Sequence, residues 1–253
     1  MSAAGVAVQS DRESRIWRQI AQSSAGSPVN VAHVCEAAVT GVGVDGAAVV
    51  VVTGPTVRDT VHATNRVAGE LEEWQLTFGQ GPCVDAYASG GPVMIANLDS
   101  PDHSKTWPVF TPAALGSGAR AVFALPIQIG AIRLGVLDLY RTRPGPLDAT
   151  GLADALAFAD AAGALLLDAA AGIQPDTEDM AWQLDDPTAH HAQVHQATGM
   201  ILVQLGVTAE AAFARLRAHA FAHERRLGDV ARDVISRRLR FAPDPVSGGN
   251  VEE

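Results

Sequence analysis

The chain has only two cysteines among its 253 residues, Cys35 and Cys83. Two distant thiols do not suggest a disulfide framework or a cysteine-based zinc site, and a reducing cytoplasm is the expected home. A long apolar run free of charge is missing too. The most membrane-like stretch, 155–173, contains Asp160 and Asp168 and reads as a packed helix, so no membrane partner is expected. Met1 to Trp17 lacks the apolar core of a signal peptide, being broken by Asp11, Arg12, Glu13 and Arg15. Ser/His/Asp, P-loop and paired-carboxylate arrangements are also wanting, which points away from an enzyme and toward no cofactor. Charged residues reach only 18%, but 47% are hydrophobic, as in a folded chain with room for one large domain or two smaller ones.

What is present is an uneven distribution of charge. The chain carries −10 overall, which argues against nonspecific binding to nucleic acid or membrane by the whole molecule. Residues 189–241 differ: they hold eight arginines, no lysine and four acids, a local +4 against −14 elsewhere. Such asymmetry suggests an anionic partner for the basic part. The competing reading is a solvated helical face with ion pairs such as Asp229–Arg232 and Asp233–Arg237.

Local patterns divide the chain. Ser27-Pro28 predicts a helix start, with the helix running to about Thr40 and stopping at Gly41. Strands are expected at 47–52 and 61–66, and a helix over 70–78 ending at Gly79. Residues 121–129 and 132–141 form the strongest strand pair, with Gly130-Ala131 suited to a II′ turn; Pro126 is the objection. From Ala149 to about Gly172 an alanine-rich helix carries a stripe of Leu152, Leu156, Ala159, Gly163 and Leu166. Its small residues invite a close neighbour, either the domain's own first helix or a second subunit. An acidic linker over 173–187 leads to three helices. Their inward residues are Val194, Ala197, Ile201 and Leu205; then Phe213, Leu216 and Ala220 behind a Thr208 cap; then Leu227, Ala231, Val234 and Ile235. Residues 242–253 are expected to be disordered.

Several residues are chemically open. Cys83, in Gly79-Gln-Gly-Pro-Cys83, is either a small buried residue lining a cavity or a thiol activated near a helix N-terminus. Asp138, between two leucines in a strand, is a ligand-contacting carboxylate or a solvent-facing group at a sheet edge. Trp107 reads as cavity wall or core. His62 and His103 read as polar surface rather than haem ligands. The pairs His191/His195 and His219/His223 have helical i,i+4 spacing but lack the intervening glutamate of a zinc protease helix, and no metal site is expected.

Ala197-Thr-Gly-Met-Ile-Leu202, Gly206-Val-Thr208, Ala212-Phe213, Leu216-Arg217, Ala220 and Val230-Ala231 resemble the ANTAR domain. Upstream, Thr77-Phe-Gly-Gln-Gly-Pro-Cys-Val-Asp85, Gly91-Pro-Val-Met-Ile95, Leu125-Pro-Ile127 and Leu134-Gly-Val-Leu-Asp-Leu-Tyr140 resemble a GAF domain. The combination is similar to actinobacterial GAF–ANTAR regulators. The resemblance implies an α+β fold: a GAF-like antiparallel sheet flanked by helices over 15–172, then an all-α three-helix ANTAR-like domain over 188–241. It also implies a small-molecule effector, a homodimer and RNA as partner. Thr198, Arg215, Arg217, Arg225, Arg226 and Arg232 are the candidate RNA contacts, and Cys83, Trp107 and Asp138 the candidate ligand contacts. Where the ANTAR pattern usually reads Ala-Lys-Gly, this chain has Ala197-Thr198-Gly199, one phosphate-neutralising charge fewer. The implied function is ligand-controlled transcription antitermination. The alternative is a protein-interaction regulator whose ANTAR-like domain no longer binds RNA. Methionine-sulfoxide reduction, another GAF-type activity, needs several close redox cysteines.

Overall fold

The computed structural model describes residues 3–53, 58–170 and 189–242. The chain separates into two compact units, 1–191 and 192–253. In order, the first contains α1 (Ala3–Ser23), α2 (Val31–Val42), β1 (Gly46–Val52), β2 (Arg58–Ala63), α3 (Arg66–Phe78), α4 (Pro82–Ser89), β3 (Val93–Ile95), α5 (Pro101–Thr106), α6 (Phe110–Ser117), β4 (Ala121–Ile129), β5 (Ile132–Arg141) and α7 (Ala149–Ala170).

The five strands form one antiparallel sheet in the order β2-β1-β5-β4-β3. Strand side chains alternate between faces, so β5 builds two different surfaces. Leu137 and Leu139 join a core under α1, α2 and α7 that includes Ile16, Ile20, Val34, Phe123, Leu125 and Phe158. Val136, Asp138 and Tyr140 face the other way. There Val136 meets Val50, Cys83 and Ala124, and Tyr140 lies among Ala48, Leu71, Phe110 and Val122. Asp138 therefore sits in a central strand and is buried, not turned to solvent at a sheet edge.

The β4–β5 hairpin turns at Gly130, whose φ of 59° suits the first central position of the expected turn. Pro126 causes no conflict, because β3 pairs with β4 only at residues 122–124. At Pro126 the strand has a neighbour on one side, which a missing N–H permits.

Several boundaries differ from the sequence reading. α2 begins after Asn30 rather than at Ser27-Pro28: Asn30 and His33 cap each other reciprocally, and the helix ends at Gly43, not Gly41. β2 lies at Arg58–Ala63 instead of 61–66, because Asn65 is already the N-cap of α3, accepting from the Ala68 N–H at 3.0 Å. In α7 the buried set contains Phe158 while Leu156 is 38% exposed. α7 is long and apolar enough to cross a membrane, yet Ala155, Phe158, Ala159 and Ala162 are core residues packed with α1 and α2. The close neighbour of its small residues is thus the first helices of the same unit. Asp154 on α7 accepts from Arg12 Nε at 3.0 Å and Arg15 Nη2 at 2.6 Å, tying α1 down.

The second unit holds α8 (Ala189–Leu205) from Ala192 on, α9 (Ala209–Ala222) and α10 (Leu227–Ile235). Val194, Ala197 and Ile201 are buried as expected, and Thr208 caps α9 by accepting from the Ala211 N–H at 3.2 Å. Ala212 takes the inward position expected for Phe213, and Val230 that of Ile235. The 173–187 linker and the tail beyond 242 lie outside the described residues.

Candidate functional site

Among the described residues, two places collect chemistry. The first is under the sheet, where α3 and α4 meet β5. The local sequence explains the geometry. Gly81 precedes α4 with φ of 135°, and a Cβ there would fall 2.6 Å from Gln75 Oε1. Only glycine lets α4 approach that amide so closely. Gln75 Oε1 then accepts from the Cys83 N–H at 2.7 Å, while its Nε2 donates to Glu72 Oε2 at 3.1 Å. Gln80 Oε1 accepts from the Val109 N–H at 3.1 Å and so holds the start of α6. Pro82 opens α4, and Asp85 receives the Trp107 indole N–H at 3.0 Å.

This arrangement brings Glu72, Cys83 and Asp138 together. Their nearest ligating atoms all lie within 4.8 Å of one another, and all three side chains are buried. With Glu72 ionised and the thiol deprotonated, neither Asp138 oxygen has a hydrogen-bond donor. The thiol and the Glu72 carboxyl serve it as donors only while they keep their protons. Burial pushes the Asp138 carboxyl up to about 7. Burial, and then the Asp138 charge, also push Glu72 and Cys83 well up. Arg58 acts in the opposite sense on all three. A cavity of about 10 Å³, room for roughly one water, opens among Ala48, Ala68, Leu71, Glu72, Val122, Asp138, Leu139 and Tyr140.

Of the three ligand contacts expected from sequence, the structure brings Cys83 and Asp138 together, and of the three only Asp138 lines the cavity. Trp107 lies in the neighbouring apolar cluster, stacked on His103 at 5.8 Å and edge-on to Phe110 at 6.3 Å. Burial and two adjacent carboxyls push the Cys83 thiol up, which favours the buried-residue reading over the activated thiol. Cys35 belongs to the core on the opposite face of the sheet, so the two thiols cannot act together. Glu72 was missed from sequence. Its signal was a helical position: it follows Ala68 by four and precedes Gln75 by three, and both neighbours are buried.

The second place is the three-helix unit. Thr198 is half-buried, and its hydroxyl donates to the Val194 carbonyl at 2.8 Å. Arg217 lies over the Phe213 ring at 6.0 Å. Arg225 pairs with Asp233 at 2.8 Å, and Arg232 with Asp229. Arg215 is half-buried on α9, and Arg226 occupies the N-cap position of α10. The expected Asp233–Arg237 pair does not form. Arg237 takes φ of 61°, and Asp233 is held instead by Arg225 and Arg238, which keeps its carboxyl below the usual range. Arg237 and Arg240, outside the predicted set, line an open groove of about 490 Å³ with Gln196, Gly199, Met200, Val203 and Gln204. His219 and His223 stack at 4.0 Å, with His223 Nδ1 2.9 Å from the His219 carbonyl oxygen.

Comparison with known proteins agrees with this division. The GAF domain family model matches residues 31–167, and the ANTAR domain family model matches 183–235. Among solved structures, the GAF domain of a phosphoenolpyruvate-protein phosphotransferase from Coxiella burnetii is 16% identical, with a TM-score of 0.48 over 64% of this chain and 98% of that one. The N-acylhomoserine lactone dependent LuxR-family factor CepR2 from Burkholderia cenocepacia is 23% identical, with a TM-score of 0.46 over 64% and 98%. A free methionine-R-sulfoxide reductase from Neisseria meningitidis is 18% identical, with a TM-score of 0.41 over 64% and 89%. No curated protein matches the chain. The GAF match takes in more than half of the chain and the sheet just described, so the chain belongs to the GAF domain family and carries an ANTAR domain behind it, the pairing of GAF–ANTAR regulators.

Proposed function

We propose that the protein is a signal-responsive transcription antitermination regulator. A small effector bound on the α3–α4 face of the GAF domain, near Cys83, Asp138 and Trp107, biases that domain between two states. The ANTAR domain, in its active state, binds an RNA stem-loop and keeps a terminator hairpin from forming. Thr198, Arg215, Arg217, Arg225, Arg226 and Arg232 carry the RNA contacts, and the working form is a cytoplasmic homodimer. The observation that carries this reading is the order of the two family matches, a sensor-type domain followed by an ANTAR domain. The local +4 charge of 189–241 on an acidic chain supports it. An effector shifts such an equilibrium only by its differential affinity for the two states.

One observation favours the second reading, a protein-interaction regulator. The Thr198 hydroxyl is spent on the Val194 carbonyl, and Arg225 and Arg232 are engaged by Asp233 and Asp229. Filter binding of the full chain to transcript-leader RNA across a salt series separates the two. Antitermination expects saturable binding whose logarithm falls linearly with the logarithm of salt. Affinity no tighter than the roughly 10⁻⁴ to 10⁻⁶ M of nonspecific binding gives the case to the protein-interaction reading.

A further inference from the structure

The buried trio of the GAF domain has a property that effector binding does not explain. Two carboxyls and a thiol share one buried site, and once Glu72 and Cys83 give up their protons neither oxygen of Asp138, itself 5% exposed, has a hydrogen-bond donor. Burying an unpartnered carboxylate is costly, and such groups are retained when they pair or coordinate a cation. The three groups come from three elements, α3, α4 and β5, so their convergence is a product of the fold and not of one helix's spacing.

We propose that Glu72, Cys83 and Asp138 form a binding site for a thiophilic divalent cation of the zinc class. Three ligand atoms no more than 4.8 Å apart leave a point at most about 2.8 Å from each (the side divided by √3), and inward shifts of about 0.5 Å for the sulfur and 0.6–0.8 Å for the oxygens bring all three to zinc bond lengths. A single thiolate with two carboxylates selects zinc over calcium or magnesium, which favour all-oxygen shells, and over iron–sulfur clusters, which need more thiolates. The adjoining cavity, of one-water size, supplies the fourth position. Gln75 is the orienting group: its Nε2 holds Glu72 Oε2, and its Oε1 fixes the Cys83 backbone. Such outer contacts aim a ligand and tune its affinity. The site uses none of the arginines of the ANTAR domain, and its existence does not depend on RNA binding.

The test uses the full chain, stripped with a chelator and titrated with Co²⁺ and then Zn²⁺. One Co²⁺ should bind per chain with tetrahedral visible bands and a near-ultraviolet thiolate-to-cobalt band, and Zn²⁺ should displace it and raise the melting temperature. Cys83→Ser should abolish the thiolate band, while Cys35→Ser should leave it intact. Glu72→Gln and Asp138→Asn should each weaken binding at least tenfold, on the order seen when even outer contacts are removed. Far-ultraviolet circular dichroism shows which variants stay folded, and any one that does carries the test. A spectrum without the thiolate band, binding unchanged in Cys83→Ser, or no uptake at all overturns the proposal.

Discussion

Replacing Asp154 by asparagine tests the packing of the GAF domain at one atom. Asp154 Oδ1 accepts from both Arg12 and Arg15, at 3.0 and 2.6 Å, and the carboxylate is 5% exposed while the two arginines are 26% and 40% exposed. Breaking a buried ion pair costs about 3–5 kcal/mol. Here the guanidinium groups reach solvent and recover part of that, as exposed pairs do. Asparagine keeps the shape and an acceptor but loses the charge. The expected loss is therefore about 2 kcal/mol, between the buried and exposed limits. With a urea slope near 2 kcal/mol per molar, the unfolding midpoint falls by about 1 M. Intrinsic tryptophan fluorescence is the assay, because residues 192–253 contain no tryptophan and the signal belongs to the first unit. The partner variant Arg15→Ala closes a double-mutant cycle, in which a coupling above about 0.5 kcal/mol is expected. A midpoint shift under about 0.2 M, with no coupling, refutes the view that this pair anchors α1.

Three other predictions follow from local geometry. Gly135→Ala places a Cβ 1.9 Å from the Val50 carbonyl oxygen in the middle of the sheet; overpacking against backbone should cost about 3 kcal/mol, read as a lower urea midpoint, and an unchanged midpoint would remove the claimed closeness of β1 and β5. Burial, then the neighbouring His223 and Arg225, hold His219 below the usual histidine range, so folding favours its neutral ring. The helices of the ANTAR domain should then be most stable above the unfolded value of about 6.5 and lose stability as pH falls through the depressed folded value; His219→Gln should blunt that loss in circular dichroism melts, and identical acid sensitivity in both proteins counts against it. Thr198→Lys restores a phosphate-neutralising charge and should tighten RNA binding and steepen its salt slope by about 1, measured by filter binding, whereas an unaltered slope means that position does not meet phosphate.

Much of the fold was legible because local signals and burial agreed. The β4–β5 hairpin announced itself by period-two alternation around Gly130, and Gly79 and Thr208 marked helix ends that the structure keeps. Errors arose where two signals competed. Ser27-Pro28 imitates a helix start, but Asn30 and His33 make the stronger reciprocal cap three residues on. In α7 the alanine-rich sequence offers several faces, and Phe158, whose ring would meet a Cβ at Gly41 at 3.0 Å, decides which one is buried. The helix α1 was not foreseen, since Ile16 and Ile20 are its buried anchors amid charged neighbours. The site was only half legible. Cys83 and Asp138 stood out as odd residues in their strings, but Glu72 resembles its exposed neighbours in Glu-Leu-Glu-Glu until α3 is placed on the sheet. Local charge pairing, which spends Asp233 on Arg225 and Arg238, was likewise set by tertiary contacts rather than by helical spacing.

Single-round transcription in vitro across a leader terminator, with RNA enriched from a leader pool by the full chain, tests the central claim most directly. The account predicts that read-through rises with protein concentration and that replacing Arg215, Arg217, Arg225, Arg226 and Arg232 together abolishes the rise in a folded protein. Termination that stays constant at saturating protein, or a pool from which no RNA is enriched, contradicts it.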